Sequence, residues 1–313
     1  MLAFPRLGSR KLHPAISWQR YGRDVVDRVI QQIEEHIKEF IIPVLMQYFQ
    51  SMFGYVNDQV AGIASDVAVT PSAFSPGVFS MVRNVSETVI MPIAGIILTF
   101  VACYELIQLI ISYNNLASFE TWFIFKWIFK TFVAVELITH TFDFTLAVFD
   151  VAGHVIANAS GVIGASTAID SSALSSLQST LEAMNVFELF GLFLQVSIIY
   201  VTILVLSRII FVIIYVRMIE IYMYVSMAPI PFATFGNRDQ STMGMNYVKS
   251  LFALGFQGFL IMICVGIYAV LIQSVAFSSD IVGSLWGVVG YTILLAFSLF
   301  KTSSVSKSIL QCI

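Results

Sequence analysis

The sequence predicts an all-α polytopic transmembrane protein, with about five spans and an N-terminal amphipathic helical region. Of its 313 residues, 58% are hydrophobic and only 11% are charged, whereas charged residues make up about 25% of an ordinary soluble domain. The 27 Phe, 12 Tyr and 4 Trp are spread over the whole chain, so no polar half remains for a soluble catalytic domain. The lipid bilayer is therefore the expected solvent for most of the protein.

The predicted spans are apolar segments of about 20 residues or more, the length that crosses about 30 Å of hydrocarbon as a helix. They divide the chain into an N-terminal region, residues 1–84, and a transmembrane domain, residues 85–313. The five segments are residues 89–111, 122–149, 187–216, 250–275 and 281–300.

The N-terminal region contains one amphipathic pattern before the first span. Apolar residues recur every three to four positions, with charged residues between them: Trp18, Val26, Val29, Ile33, Ile37 and Phe40. This spacing predicts a helix that lies on the membrane, grips a partner helix or packs on its own bundle. Residues 40–56 follow, but Pro43, Gln47 and Gln50 make them a poor sixth span, so we expect an interfacial or re-entrant segment.

Two stretches between spans carry the composition of loops and turns. Residues 153–180 are rich in Gly, Ser, Thr and Ala and contain no Phe, Trp or Tyr, which predicts a flexible loop. Pro229 and Pro231, followed by Gly236 and Asn237, predict the end of the third helix and the start of a turn.

The placement of Lys and Arg predicts the orientation, because short loops rich in these residues stay in the cytoplasm. No Lys or Arg lies between Lys130 and Arg208, so we expect the loop at residues 150–187 to be outside. The connection at residues 217–249 and the C-terminus are then inside. Counting back through five spans places the N-terminus outside, in a multi-pass protein of the cytoplasmic membrane.

The second predicted span carries an unusual number of titratable groups. A charged side chain at the bilayer centre costs at least about 2.5–3.5 kcal/mol and is normally retained for pairing or function. At 100° per residue, six such side chains fall within an arc of about 160°. This polar stripe consists of Lys126, Lys130, Glu136, His140, Asp143 and Asp150.

Three interpretations of the polar stripe stay open at this point: the wall of an aqueous channel, a proton relay, or a polar seam that pairs with another helix. Glu136, His140 and Asp143 are its central candidates. Arg208 in the third span is a possible partner for the seam. Arg217 and Glu220 are three residues apart, which predicts an ordinary surface ion pair.

Glycines in the last two spans predict close helix packing. Gly283 and Gly287 have the spacing of a small-residue packing motif, and Gly290 lies near the same face. Gly255 and Gly258 offer a similar surface in the fourth span.

No enzyme motif is present in the sequence. The four histidines lack zinc-site spacing, and there is no phosphate-binding loop and no serine-nucleophile elbow. We therefore expect no catalysis, no cofactor and no metal site. The net charge of −3 also excludes a surface that coats nucleic acid.

Four segments resemble a known family, namely residues 86–100, 103–107, 122–131 and 227–235, the last with Pro229 and Pro231. Their order and spacing are similar to those of the TrbL/VirB-type polytopic inner-membrane subunits of type IV secretion systems, in the form found on conjugative elements of Gram-positive bacteria. The similar region covers roughly residues 77–307. Family members have an outside N-terminus, about five spans and an inside C-terminus, in agreement with the orientation above.

The resemblance implies a channel or scaffold subunit of a conjugative DNA-transfer apparatus. Its implied partners are further copies of itself, other type IV secretion subunits including cytoplasmic ATPases, and, transiently, the DNA–relaxase substrate. The outside loop is acidic and lacks the cationic groove and stacking surface of a single-strand binder, so we expect it to guide DNA rather than hold it. The alternatives are a proton- or ion-coupled transporter and a passive membrane assembly scaffold.

Overall fold

Helices dominate the computed structural model, which describes residues 14–112, 121–163, 172–237, 239–273 and 281–312. No strand occurs in these ranges, so the predicted all-α class is confirmed. The helices are α1 (Pro14–Ala68), α2 (Pro71–Phe74), α3 (Pro76–Val85), α4 (Met91–Ser112), α5 (Thr121–Thr139), α6 (Thr141–Ile163), α7 (Ser172–Ala183), α8 (Val186–Met227), α9 (Pro229–Ala233), α10 (Ser241–Gln273) and α11 (Ile281–Ile309). A π-helical turn, Ser86–Ile90, joins α3 to α4, and a 3₁₀ turn, Thr234–Gly236, follows α9.

Five helical segments in the described chain are long and apolar enough to cross a membrane. They are Pro76–Ile111, Thr141–Gly161, Val186–Gly236, Ser241–Gln273 and Ile281–Ile309. The number agrees with the sequence prediction, and the protein is an all-α polytopic membrane protein. Among the helices that form these segments, α8 is the longest, with 42 residues, and so extends about 63 Å, about twice the thickness of the hydrocarbon core.

The second span differs from its prediction. The sequence predicted one helix over residues 122–149, but the structure has α5 and α6, which meet at His140. Backbone hydrogen bonds continue through the junction, from His140 N to Glu136 O (3.0 Å) and from Phe144 N to His140 O (3.1 Å). Beside it, the hydroxyls of Thr139 and Thr141 donate to helix carbonyls three and four residues earlier. Such bonds compete with the helical ladder and bend helices, which accounts for the interruption.

The chain divides into two packing units. The first comprises Met1–Ser51 and Asp170–Ile198, and the second comprises Met52–Ile169 and Ile199–Ile313. The boundary that the sequence predicted at residue 84 concerns which part of the chain enters the membrane, so it stays a prediction.

The first unit is built around part of α1 together with α7 and the start of α8. Its buried apolar residues recur at helical spacing: Ile41, Leu45, Phe49, Leu177, Leu181 and Leu189. The rings of Tyr48 and Phe193 stack with centroids 6.2 Å apart, and Lys38 Nζ donates to Glu182 O over 3.2 Å.

The amphipathic pattern in α1 leaves its apolar side chains uncovered. Val26, Val29, Ile33 and Phe40 are exposed, Phe40 by 72%, whereas Ile37 is half-buried. The side chain of Trp18 lies outside the described residues. The interpretation that this face packs on the protein's own bundle is therefore wrong for these four residues, and a lipid surface or a partner helix remains.

Two segments that the sequence did not predict as regular helices are helical. Residues 40–56 belong to the continuous helix α1, which contains Pro43, so the re-entrant interpretation is wrong. The predicted loop at residues 153–180 contains the end of α6 and most of α7, because Leu177 and Leu181, one turn apart, find a buried environment. Residues 164–171 lie outside the described ranges.

The second unit has α10 at its centre, packed against both α6 and α11. Side-chain hydrogen bonds join α10 to α11, among them Tyr268 to Thr292 (3.1 Å), Gln257 to Thr302 (3.4 Å) and Ser306 to the carbonyl of Ala253 (2.5 Å). From Ala253 to Tyr268 the numbers of the α10 residues rise, whereas those of their α11 partners fall. The two helices are therefore antiparallel. Polar bonds of this kind hold helices together where lipid removes the hydrophobic driving force.

Candidate functional site

Glu136, His140 and Asp143 form a connected polar trio at the junction of α5 and α6. His140 Nε2 lies 3.5 Å from Glu136 Oε2, and His140 Nδ1 lies 3.2 Å from Asp143 Oδ2. The three side chains are 57%, 50% and 70% exposed in the order His140, Glu136 and Asp143. The one-turn spacings predicted from the sequence therefore bring the trio together, and it faces outward.

Apolar side chains are exposed on either side of the polar trio along the helix. Phe132 and Phe144 are 58% and 50% exposed, and Val135 is 42% exposed. A carboxylate that faces lipid is costly, whereas one that faces water or a polar partner is not. The charged groups of the trio thus stand among exposed apolar side chains.

A second ion pair, from α3 and the π-helical turn, lies close to the polar trio. Arg83 Nε donates to Glu87 Oε1 over 2.7 Å, and the Arg83 guanidinium carbon lies 5.7 Å from the ring centroid of Phe142. The trio is thus part of a wider charged surface that the sequence analysis did not assemble, although a π-helical turn often accompanies functional sites.

Lys130 belongs to the same predicted stripe but pairs inside the bundle. Its Nζ lies 2.8 Å from Glu105 Oε1 on α4, and the Glu105 side chain is only 16% exposed. One turn before Lys130, the indole of Trp127 donates to the carbonyl of Ala102 over 3.0 Å. The polar stripe is therefore divided, because Lys130 joins α5 to α4 whereas the trio stays open.

Three further residues singled out in the sequence stand apart from these contacts. Lys126, Asp150 and Arg208 are exposed, and none of them forms an ion pair with another residue of the described chain. The structure therefore does not bring Arg208 to the stripe as its partner.

Arg217, not Arg208, is the buried arginine of α8. Its side chain is 4% exposed, and it donates to the carbonyls of Val67 (3.4 Å) and Leu254 (3.5 Å). Its Nε has no partner among the described atoms. The guanidinium thus links α1, α8 and α10 through backbone oxygens without an acidic partner within ion-pair distance.

The predicted surface pair between Arg217 and Glu220 is wrong. Glu220 Oε1 instead lies 2.8 Å from Lys307 Nζ on α11. The reason is the direction in which each side chain leaves α8: Arg217 enters the core, whereas Glu220 is half-buried near the end of α11.

Pro229 and Pro231 lie in α9, directly after α8 ends at Met227. The prediction that this pair ends the long helix is confirmed. Pro229, Phe232 and Ala233 are buried, and α9 packs on α4 and α5. Tyr247 on α10 packs with Phe232 and Ala233. Its phenol donates to the carbonyl of Tyr224 over 2.9 Å.

The glycines predicted for packing behave differently from one another. A Cβ on Gly255 would lie 3.2 Å from Ala152 Cβ, and one on Gly258 would lie 2.5 Å from Ile156 Cδ1, so both permit close contact of α10 with α6. Gly290 is exposed and has no atom within 4 Å of such a Cβ, so it packs against no other helix of the described chain. Gly283 is exposed and Gly287 is half-buried.

The polar trio has the residue types of a metal site but not the arrangement. Within the described ranges, no group of three or more His, Cys, Asp or Glu side chains is placed to hold a metal ion. What the trio offers is fixed negative charge and an imidazole on an accessible surface.

Comparison with known proteins identifies one family. A family model described as TrbL/VirB6 plasmid conjugal transfer like protein matches residues 56–229, more than half of the chain. No curated protein and no solved structure matches the chain. The matched region contains the polar trio, the Lys130–Glu105 pair and the buried Arg217.

Proposed function

Because the chain belongs to the TrbL/VirB6 family of plasmid conjugal transfer proteins, we propose that it helps to form the path by which the transferred substrate crosses the cytoplasmic membrane. Membership makes the protein a component of type IV secretion in conjugation, and its five apolar helices make it a multi-pass membrane protein. The proposed role is that of a channel or scaffold subunit without catalysis of its own.

The open position of the polar trio carries this proposal. Glu136, His140 and Asp143 are each at least half exposed, among exposed aromatic and aliphatic side chains. The trio lies where α6 begins, at the inner end of the proposed second crossing, so its charges need water or a polar subunit beside them. A translocation path supplies both, since it is water-filled and is built from several subunits.

The proposed orientation follows from the charged residues. The C-terminus and the connection between α8 and α10 lie in the cytoplasm, and the N-terminus lies outside. With α6 as the second crossing, Lys126 and Lys130 precede it on the inner side, where basic residues are favoured. The segment around α7 then lies outside, where its acidic character suits guidance of a substrate rather than tight binding.

The proposed partners are those that the family's role requires. They are the lipid bilayer, further copies of this chain, other type IV secretion subunits including cytoplasmic ATPases, and, transiently, the DNA–relaxase substrate. A passive assembly scaffold is the second candidate, and one observation favours it: the Lys130–Glu105 pair and Arg217 use their charges to hold helices of the same chain together.

Cysteine accessibility in cells tests the channel wall directly. In a background without Cys103, Cys264 and Cys312, single cysteines replace Glu136, His140 and Asp143, and matched controls replace Phe132 and Phe144 on the apolar surface. A water-soluble thiol reagent is expected to label the first three positions and not the controls. Labelling of the trio is expected to fall when substrate is being transferred.

The same experiment separates the alternatives. If the trio and the phenylalanine positions label equally poorly in the assembled machinery, the trio is dry and the scaffold role replaces the channel role. Cysteines at Ala183 and Gln311, both exposed, test the orientation, since only Ala183 is expected to react with a reagent added outside the cell. The reverse result would invert the topology.

A further inference from the structure

A second surface feature is an open groove between α10 and α11, away from the polar trio. Its volume is about 630 Å³, and its lining is apolar along most of its length. The residues from α11 recur every three to four positions and so form one face of the helix: Gly290, Ile293, Leu294, Phe297, Ser298, Lys301, Thr302 and Val305. From α10 the lining is Leu260, Ile263 and Cys264.

The only charge in the lining of the groove lies near one of its ends. Lys301 is the one charged residue in its lining; it is exposed and forms no ion pair with any residue of the described chain. Ser298 places a hydroxyl group one helical turn before it, whereas the hydroxyl of Thr302 is buried and donates to Leu299 O. The rest of the lining offers hydrocarbon, with Ile293 and Leu294 37% and 49% exposed. An occupant that satisfies this surface has an anionic head and an apolar tail.

The length of the groove agrees with a lipid tail. Gly290 and Lys301 are eleven residues apart on α11, which corresponds to about 16 Å along the helix axis. One leaflet accounts for half of the hydrocarbon core of about 30 Å. A phosphate held by Lys301 at the membrane surface would therefore leave its acyl chain reaching Gly290 near the middle of the bilayer.

The floor of the groove at Gly290 supports the same occupant. No atom lies within 4 Å of a Cβ built on Gly290, so the absence of a side chain there leaves open space. We propose that this groove binds one anionic phospholipid, with its phosphate on Lys301 and an acyl chain along the face from Phe297 to Gly290. Basic positions between transmembrane helices are a common means of selecting anionic lipids.

Native mass spectrometry of the purified full chain in detergent tests this proposal, with phosphatidylglycerol and phosphatidylcholine of identical acyl chains as probes. The wild type is expected to bind phosphatidylglycerol at least fivefold more tightly. Lys301→Gln should remove that preference, because the phosphate loses its cation. Gly290→Leu should weaken the binding of both lipids at least fivefold, because leucine fills the space of the acyl chain.

Lys126→Gln is the matched control, since it removes an exposed lysine outside the groove and should leave the lipid preference unchanged. The proposal is overturned if Lys301→Gln retains the preference for phosphatidylglycerol, or if Gly290→Leu leaves binding unaltered. It is also overturned if the groove seats a second copy of the chain, in which case Gly290→Leu would dissociate a dimer and leave bound lipid unchanged. Lys301 is exposed and Gly290 has open space, so both variants should fold.

Discussion

The guanidinium of Arg217 lies where a side chain on Gly258 would stand: a Cβ at Gly258 would be 2.7 Å from Arg217 Nη2. The same Cβ would lie 2.5 Å from Ile156 Cδ1 and 3.1 Å from Val67 Cγ1. Three helices, α1, α6 and α8, thus converge on one glycine of α10. The absence of a side chain at Gly258 makes the room in which a buried arginine reaches two backbone carbonyls.

Gly258→Ala is therefore expected to destabilise the protein. Ile156 and Arg217 are 1% and 4% exposed, so neither can move away without disturbing close-packed neighbours. Overpacking of this kind costs about 1–3 kcal/mol. The measurement is the thermal unfolding temperature of purified protein in detergent. Gly95→Ala serves as the control, because a Cβ there meets no atom within 4 Å; equal unfolding temperatures for the two variants would contradict the prediction.

Lys130 and Glu105 should show an energetic coupling in a double-mutant cycle. Their ion pair spans 2.8 Å, with side chains 38% and 16% exposed, so its strength lies between that of a surface pair and that of a buried one. After screening at the lysine is taken into account, we expect a coupling of about 1 kcal/mol. The cycle uses Lys130→Gln, Glu105→Gln and the double variant, with unfolding in detergent as the readout. Additive effects would show that the contact contributes nothing.

Exchange of the two charges provides a sharper form of that test. The double variant Lys130→Glu with Glu105→Lys should recover most of the stability that either single reversal loses. The ion pair is then restored, with the cation on α4 and the carboxylate on α5. Failure to recover would mean that the surrounding side chains, such as Trp127 with its bond to the Ala102 carbonyl, fix the direction of the pair.

The phenol of Tyr247 gives a smaller, local prediction. It donates to the carbonyl of Tyr224 over 2.9 Å and is 9% exposed. Tyr247→Phe removes the donor and keeps the ring, so the loss should be about 1 kcal/mol. Tyr291→Phe is the comparison variant, with an expected effect close to zero, since Tyr291 is only half-buried. The unfolding temperature in detergent should be lower for Tyr247→Phe than for Tyr291→Phe, and equal temperatures would contradict the prediction.

Hydropathy predicted four of the five apolar segments, and the first part of Thr141–Gly161, because the length and composition of a span are properties of the local sequence. Which face of an apolar helix is buried is not such a property. Arg208 and Arg217 are nine residues apart on α8, so at 100° per residue they point about 180° apart. Because α8 is apolar on all sides, its hydrophobic periodicity does not distinguish the buried arginine from the exposed one. The prediction of Arg208 as the interior partner is therefore wrong.

Glu105 could have been found from the sequence. It is the one charged residue among the 22 residues of α4, and a lone carboxylate in a membrane span needs a cation nearby. Lys130, which lies about 120° around the helix from Glu136, is the cation that pairs with Glu105. The interruption at His140, in contrast, depends on how threonine hydroxyls compete for carbonyls, which a helical-wheel projection does not represent.

The polar trio leads to the last prediction, which concerns transfer itself. Glu136→Gln and Asp143→Asn keep the size and hydrogen-bonding capacity of the side chains and remove their negative charge. If these carboxylates line the path, each variant should lower the frequency of conjugative transfer on the order of tenfold, equivalent to about 1.4 kcal/mol in an activation barrier. The amount of protein in the membrane should stay unchanged, because all three members of the trio are at least half exposed.

Lys126→Gln is the matched control for transfer, since Lys126 is exposed and, although it belongs to the predicted stripe, forms no ion pair with the polar trio. It should transfer at the wild-type frequency. A passive scaffold predicts a different pattern, in which transfer falls only in proportion to the amount of folded protein. Transfer frequency and immunoblots of the membrane fraction, measured on the same donor cultures, therefore distinguish a wall that contacts the path from a surface that only supports it.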